Sequence, residues 1–90
     1  TTADKIKDMM SYDVYYKYGE DNFPGLDLCA KSGTAEVGEG QEPTAWFVGF
    51  LTNEDAPLAF VVVVENGGYG SETAGSVANT VLQAAVSAGE

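Results

Sequence analysis

The sequence predicts an α+β domain in the order helix, three-stranded antiparallel meander, C-terminal helix. Three observations predict it. Apolar residues recur at helical spacing near both ends of the chain. Three apolar runs of strand length fill the middle. The connections between those runs are short and rich in turn formers, so consecutive strands pair antiparallel.

The first helix is predicted over residues 2–18, where Ile6, Met9, Met10 and Val14 share one face. Thr2 is the expected N-cap, with Lys5 at the third helical position, which leaves the capping box incomplete. Asp4 in the first turn suits the helix dipole, and Gly19 is a natural stop. The Met pair and Tyr12, Tyr15, Tyr16 and Tyr18 are expected to pack on a neighbour. Pro24 and Gly25 mark a turn before the next element.

Residues 26–37 read as the first strand, with Leu26, Leu28 and Ala30 alternating onto one face. Residues 38–43 are a polar, acidic connection. The second strand spans residues 44–51, and its Trp46 and Phe50 are expected in the core. After a turn over residues 52–57, the third strand covers residues 58–64 and is apolar at every position. A strand apolar on both faces is normally central and covered on both sides. Residues 66–70 form a Gly-rich loop, Ser71 is the expected N-cap, and Glu72 lies just inside the helix. Ala74, Val77, Ala78, Val81, Leu82, Ala85 and Val86 then carry an amphipathic helical stripe through Ser87.

Composition narrows the function classes. Four Lys and no Arg face fourteen acidic residues, for a net charge of -10. Phosphate backbones and anionic membranes both demand clustered cations, so neither nucleic acid nor an anionic lipid surface is an expected partner. The chain has no His, which removes Ser-His-Asp and Cys-His catalysis. Cys29 is the single cysteine, reads as a small buried strand residue, and excludes an intramolecular disulfide. Glu36, Glu39 and Glu42 read as a solvated acidic turn rather than a cation site. The loop Gly67-Gly68-Tyr69-Gly70 lacks the Lys of a phosphate loop and reads as a lead into the last helix. No cofactor and no metal are expected. The first eight residues are polar and hold no secretory core.

The most informative stretch is Lys31-Ser32-Gly33-Thr34-Ala35 on the first strand. A Lys-Thr-Gly element is one of three signatures of penicillin-binding proteins and serine β-lactamases, and Lys31-Ser32-Gly33 is its Ser variant. Ala45-Trp46-Phe47-Val48-Gly49-Phe50 follows on the second strand. The Val-rich third strand ends in Glu65-Asn66-Gly67-Gly68, and a capped helix closes the chain. Taken together, residues 23–88 resemble the closing part of the transpeptidase domain of class B penicillin-binding proteins, within the β-lactamase/transpeptidase-like fold.

That resemblance implies roles for four residues. Lys31 would place an ammonium beside the reacting centre, assisting proton movement and attracting the substrate carboxylate. Ser32 would offer its hydroxyl to that carboxylate, and Gly33 would let substrate lie against the strand. Thr34 would give a backbone N–H to the oxyanion hole, a contribution of about 3 kcal/mol to the transition state in comparable sites. Free edge groups would also let a peptide add as a strand. Alternation places Lys31 and Ser32 on opposite faces, so a shared site requires a twist or an approach along the edge.

Two further elements of the family are absent. None of Ser11, Ser32, Ser71, Ser76 and Ser87 is followed by Lys three residues on, or by Asn two residues on. The resemblance therefore implies that residues 1–90 are the C-terminal portion of a transpeptidase domain whose acylated serine lies upstream, and that the chain is inactive alone. It implies peptidoglycan stem peptides and β-lactams as ligands, and the remaining part of the same domain as partner. A homodimer through an exposed strand edge is the alternative pairing. It also implies an extracytoplasmic enzyme anchored by an N-terminal membrane segment. A β-lactam sensor, a D,D-carboxypeptidase and a β-lactamase share the motif, and a small α+β interaction domain is the reading that discounts it.

Overall fold

In the computed structural model, which describes residues 1–88, helix α1 (Thr2–Asp13) runs into a π-helical turn at Val14–Tyr18 and a short 3-10 turn at Glu20–Asn22. Strands β1 (Leu28–Ala35), β2 (Thr44–Leu51) and β3 (Ala59–Val64) follow, and helix α2 (Thr73–Ala88) closes the fold. The order and types of the elements are those expected from the sequence.

The start of α1 differs by one residue from the expectation. Thr1 is the N-cap, its hydroxyl accepts the Asp4 N–H at 3.2 Å, and Asp4 completes the capping box. Thr1 and Thr2 are equivalent as caps, and the acid three residues after Thr1 decides between them. Gly19 ends the helical segment at φ 81°, a left-handed conformation that glycine adopts without penalty. α2 begins at Thr73, two residues after the expected cap Ser71, and Thr73 Oγ1 donates back to the Tyr69 carbonyl at 3.2 Å.

The sheet is an antiparallel meander in the order β1-β2-β3. Its register pairs Lys31 with Val48, Ser32 with Phe47 and Gly33 with Trp46, while Trp46 and Val48 pair in turn with Val63 and Val61. β3 lies at the edge of the meander with its outer side unpaired, the exposed apolar edge expected where the upstream part of the domain is absent.

Alternation sorts the sheet into two unlike faces. Leu28, Ala30, Ala45, Phe47 and Leu51 are buried with Phe23, Val14 and the α2 residues Ala74, Ala78 and Leu82. Phe47 is the centre of this core: its ring stacks on Phe23 at 5.7 Å and meets Tyr18 edge-on at 5.3 Å. Fully burying such a side chain contributes about 2–3 kcal/mol. The opposite face is open. Trp46, expected in the core, is 40% exposed, Val61 is 60% exposed, and Val48 and Val63 lie beside them. At one end Cys29 is buried and Phe50, also expected in the core, is half-buried, but the thinnest dimension of the molecule is 20 Å, the depth of one sheet and one helix layer, so no further layer of the described chain covers Trp46, Val48, Val61 and Val63. The first helix behaves similarly. Val14 is buried, Met10 is half-buried and Tyr18 packs on Phe47, but Ile6, Met9, Tyr12, Tyr15 and Tyr16 are exposed, so the expected packing is made only in part among the described residues.

Candidate functional site

β1 pairs with β2 along one side only, so no strand pairs with its other edge. Ser32 sets the direction of the backbone along that edge. Its N–H points away from β2 and donates to the Tyr18 phenol oxygen at 2.8 Å. Backbone groups of an antiparallel strand reverse direction at each residue, so Thr34, two residues on, aims its N–H and C=O at the same outer edge. Gly33, Thr34 and Ala35 are exposed there.

Lys31 and Ser32 lie on opposite faces, as alternation requires, yet they meet at the edge. The Lys31 ammonium curls back to donate to the outward Ser32 carbonyl at 2.7 Å. Lys31 is the only cation after Lys17 in a strongly acidic chain, and among the described residues it makes no ion pair. The Ser32 hydroxyl lies 3.0 Å from the Tyr18 phenol oxygen. A free carboxylate approaching this edge would meet one uncompensated positive charge, one hydroxyl and one outward N–H.

Thr34 is fixed from the helix side, where its Oγ1 accepts the Gly70 N–H at 3.2 Å. Gly70 is buried flat against the strands. A Cβ there would sit 2.4 Å from the Gly33 carbonyl oxygen and 2.5 Å from that of Trp46. Gly33 is different: a Cβ would rest 3.5 Å from Trp46 Cβ, an ordinary contact. The chain's own packing therefore does not demand glycine at position 33.

Other candidates do not join this group. Cys29 is buried and free, and burial raises its thiol pKa above the ordinary value, which disfavours the reactive thiolate. Glu36, Glu39 and Glu42 are exposed, and among the described residues no three metal-binding side chains converge. A groove of about 460 Å³ between the end of the first helix and α2 is lined by Tyr18, Phe23, Ser71, Glu72 and Asn79, and contains neither Lys31 nor Thr34. Sequence reasoning missed Tyr18 and Gly70. Tyr18 sits among four tyrosines of which three face solvent, and nothing in its spacing separates it from them.

The model of the penicillin binding protein transpeptidase domain matches residues 1–83. The chain belongs to this family. It is 35% identical over 68 residues to the peptidoglycan D,D-transpeptidase PbpA of Mycolicibacterium smegmatis, an alignment covering 71% of this chain and 14% of that protein. Two solved structures of penicillin-binding protein A from M. tuberculosis superpose on it with a TM-score of 0.76. One, an imipenem acyl-enzyme complex, is 30% identical and shares 93% of this chain and 19% of its own. The other is 28% identical and shares 93% of this chain and 22% of its own. The chain thus spans between 14% and 22% of the length of these penicillin-binding relatives.

Proposed function

We propose that residues 1–90 are the C-terminal portion of the transpeptidase domain of a peptidoglycan D,D-transpeptidase, supplying its substrate-binding edge. The observation that carries this reading is the convergence of Lys31, Ser32 and the outward Thr34 N–H on the outer edge of β1. In this reading a stem peptide or a β-lactam lies along that edge as an added strand. Lys31 and the Ser32 hydroxyl hold its carboxylate. A serine from the upstream part of the domain attacks the carbonyl carbon, the C–N bond breaks, and the proton lost by the serine passes to the nitrogen; the amine of a stem peptide then leaves, while that of an opened β-lactam stays tethered to the acyl group. Thr34 N–H stabilises the oxyanion that forms on the way.

The same reading gives the open sheet face and the β3 edge their occupant, the upstream part of the domain. Isolated, the β3 edge invites pairing with a second copy. No helix among the described residues is long and apolar enough to cross a membrane. An extracytoplasmic enzyme anchored by an upstream segment accords with the peptidoglycan substrate.

Intact-mass spectrometry after incubation with a penicillin tests the proposal. The complete protein gains the mass of one drug molecule and the 90-residue chain gains none. A complete protein that takes up no drug overturns the transpeptidase reading.

A further inference from the structure

We infer that Tyr18 is a positioning residue that aims the Ser32 hydroxyl at a ligand carboxylate; this rests on the function proposed above. The phenol oxygen accepts the Ser32 N–H at 2.8 Å and lies 3.0 Å from Ser32 Oγ. A single residue thus holds Ser32 by both its backbone and its side chain. A phenol O–H is a stronger hydrogen-bond donor than an aliphatic alcohol O–H. Of the two hydroxyls, Tyr18 is therefore the donor, and its one proton is directed at Ser32 Oγ. Ser32 then keeps its own proton free for a ligand at the outer edge of β1. A carboxylate that arrives there finds a hydroxyl whose rotation the bond from Tyr18 already restricts, so less freedom is lost on binding.

The scaffold around Tyr18 supports this use. Tyr18 closes the π-helical turn immediately before Gly19, and its ring is held edge-on by the fully buried Phe47 at 5.3 Å. Asn22 Nδ2 donates to the Tyr18 carbonyl at 2.8 Å, which fixes the backbone behind it. π-helical turns occur frequently at functional sites, and this one sets the phenol against the motif strand.

The experiment measures acylation of the complete protein by a penicillin and by the methyl ester of the same penicillin. The ratio of the two second-order rates reports carboxylate recognition, and general damage to the fold lowers both rates together. Tyr18→Phe is expected to lower the penicillin rate about tenfold, the value of one oriented hydrogen bond, and to leave the ester rate in place. Ser32→Ala lowers the ratio as well, and adding Tyr18→Phe to Ser32→Ala lowers it no further. An unchanged ratio in Tyr18→Phe, or losses that multiply in the double variant, overturns the inference while leaving the transpeptidase reading intact. A wild-type protein that is not acylated overturns both.

Discussion

The Gly70 N–H donates to Thr34 Oγ1 at 3.2 Å, tying the loop that precedes α2 to the strand that carries the candidate site. The bond requires Gly70 to lie flat against β1 and β2, and a Cβ would meet the Gly33 and Trp46 carbonyl oxygens at 2.4 and 2.5 Å. Both obstacles are backbone and neither can swing aside. Gly70→Ala is therefore expected to destabilise the protein by about 3 kcal/mol, as forced overpacking does. Thr34→Val removes only the acceptor and should cost about 1–2 kcal/mol. Urea unfolding of the two variants checks the order, and a Gly70→Ala protein as stable as wild type would show that the loop can lift away from the strands.

The arrangement of elements was legible because each segment shows its own period. The second strand, with Ala45, Phe47 and Leu51 buried on one face, was placed to the residue. Trp46 is the exception on this strand, being exposed where a core position is expected. Apolar side chains on both faces state that cover is wanted, not that this chain provides it, and here the second face stays open. The site was half legible. Lys31, Ser32, Gly33 and Thr34 were readable from the motif and its strand context. Tyr18 was not, because its partner lies fourteen positions away and depends on how the helix meets the strand.

Phe47 bears the largest share of the core. It is fully buried, stacks on Phe23 and contacts Tyr18 and Phe60. Phe47→Ala should cost about 3–5 kcal/mol, a large part of the ~5–15 kcal/mol available to a domain. Phe47→Leu keeps more of the volume and should cost less. Thermal unfolding followed by near-ultraviolet circular dichroism reads both. Equal melting temperatures for the two variants would mean that the aromatic cluster collapses around the gap.

Cys29 predicts an alkaline limit to stability. Burial raises its thiol pKa, Asp8 and Asp27 push the same way, and Lys7 opposes them. The unfolded thiol titrates near pH ~8.5, while the folded thiol keeps its proton to higher pH. Between those two values the folded state binds more protons than the unfolded state, so stability falls as pH rises. Below the unfolded value the contribution is complete and flat. Cys29→Ala should remove this component. The difference in unfolding free energy between wild type and Cys29→Ala, followed from pH 7 upward, is expected to be level at first and then to shrink. A constant difference across the alkaline range would contradict the raised pKa.

The open sheet face predicts how the isolated chain behaves. Trp46 and Val63 are cross-strand partners, as are Val48 and Val61, and all four are exposed on one surface beside an unpaired strand edge. An apolar surface next to free backbone donors and acceptors favours association between copies. The 90-residue chain is therefore expected to self-associate at micromolar concentration in sedimentation velocity. Val61→Lys with Val63→Lys places two charges on this surface without touching the helix-side core, and should return the chain to monomer. In the complete protein the same pair should be destabilising, because the upstream part of the domain is proposed to cover that face. A wild-type chain that sediments as a monomer would remove the edge-pairing proposal. Substitutions silent in the complete protein would show that the face stays open there too.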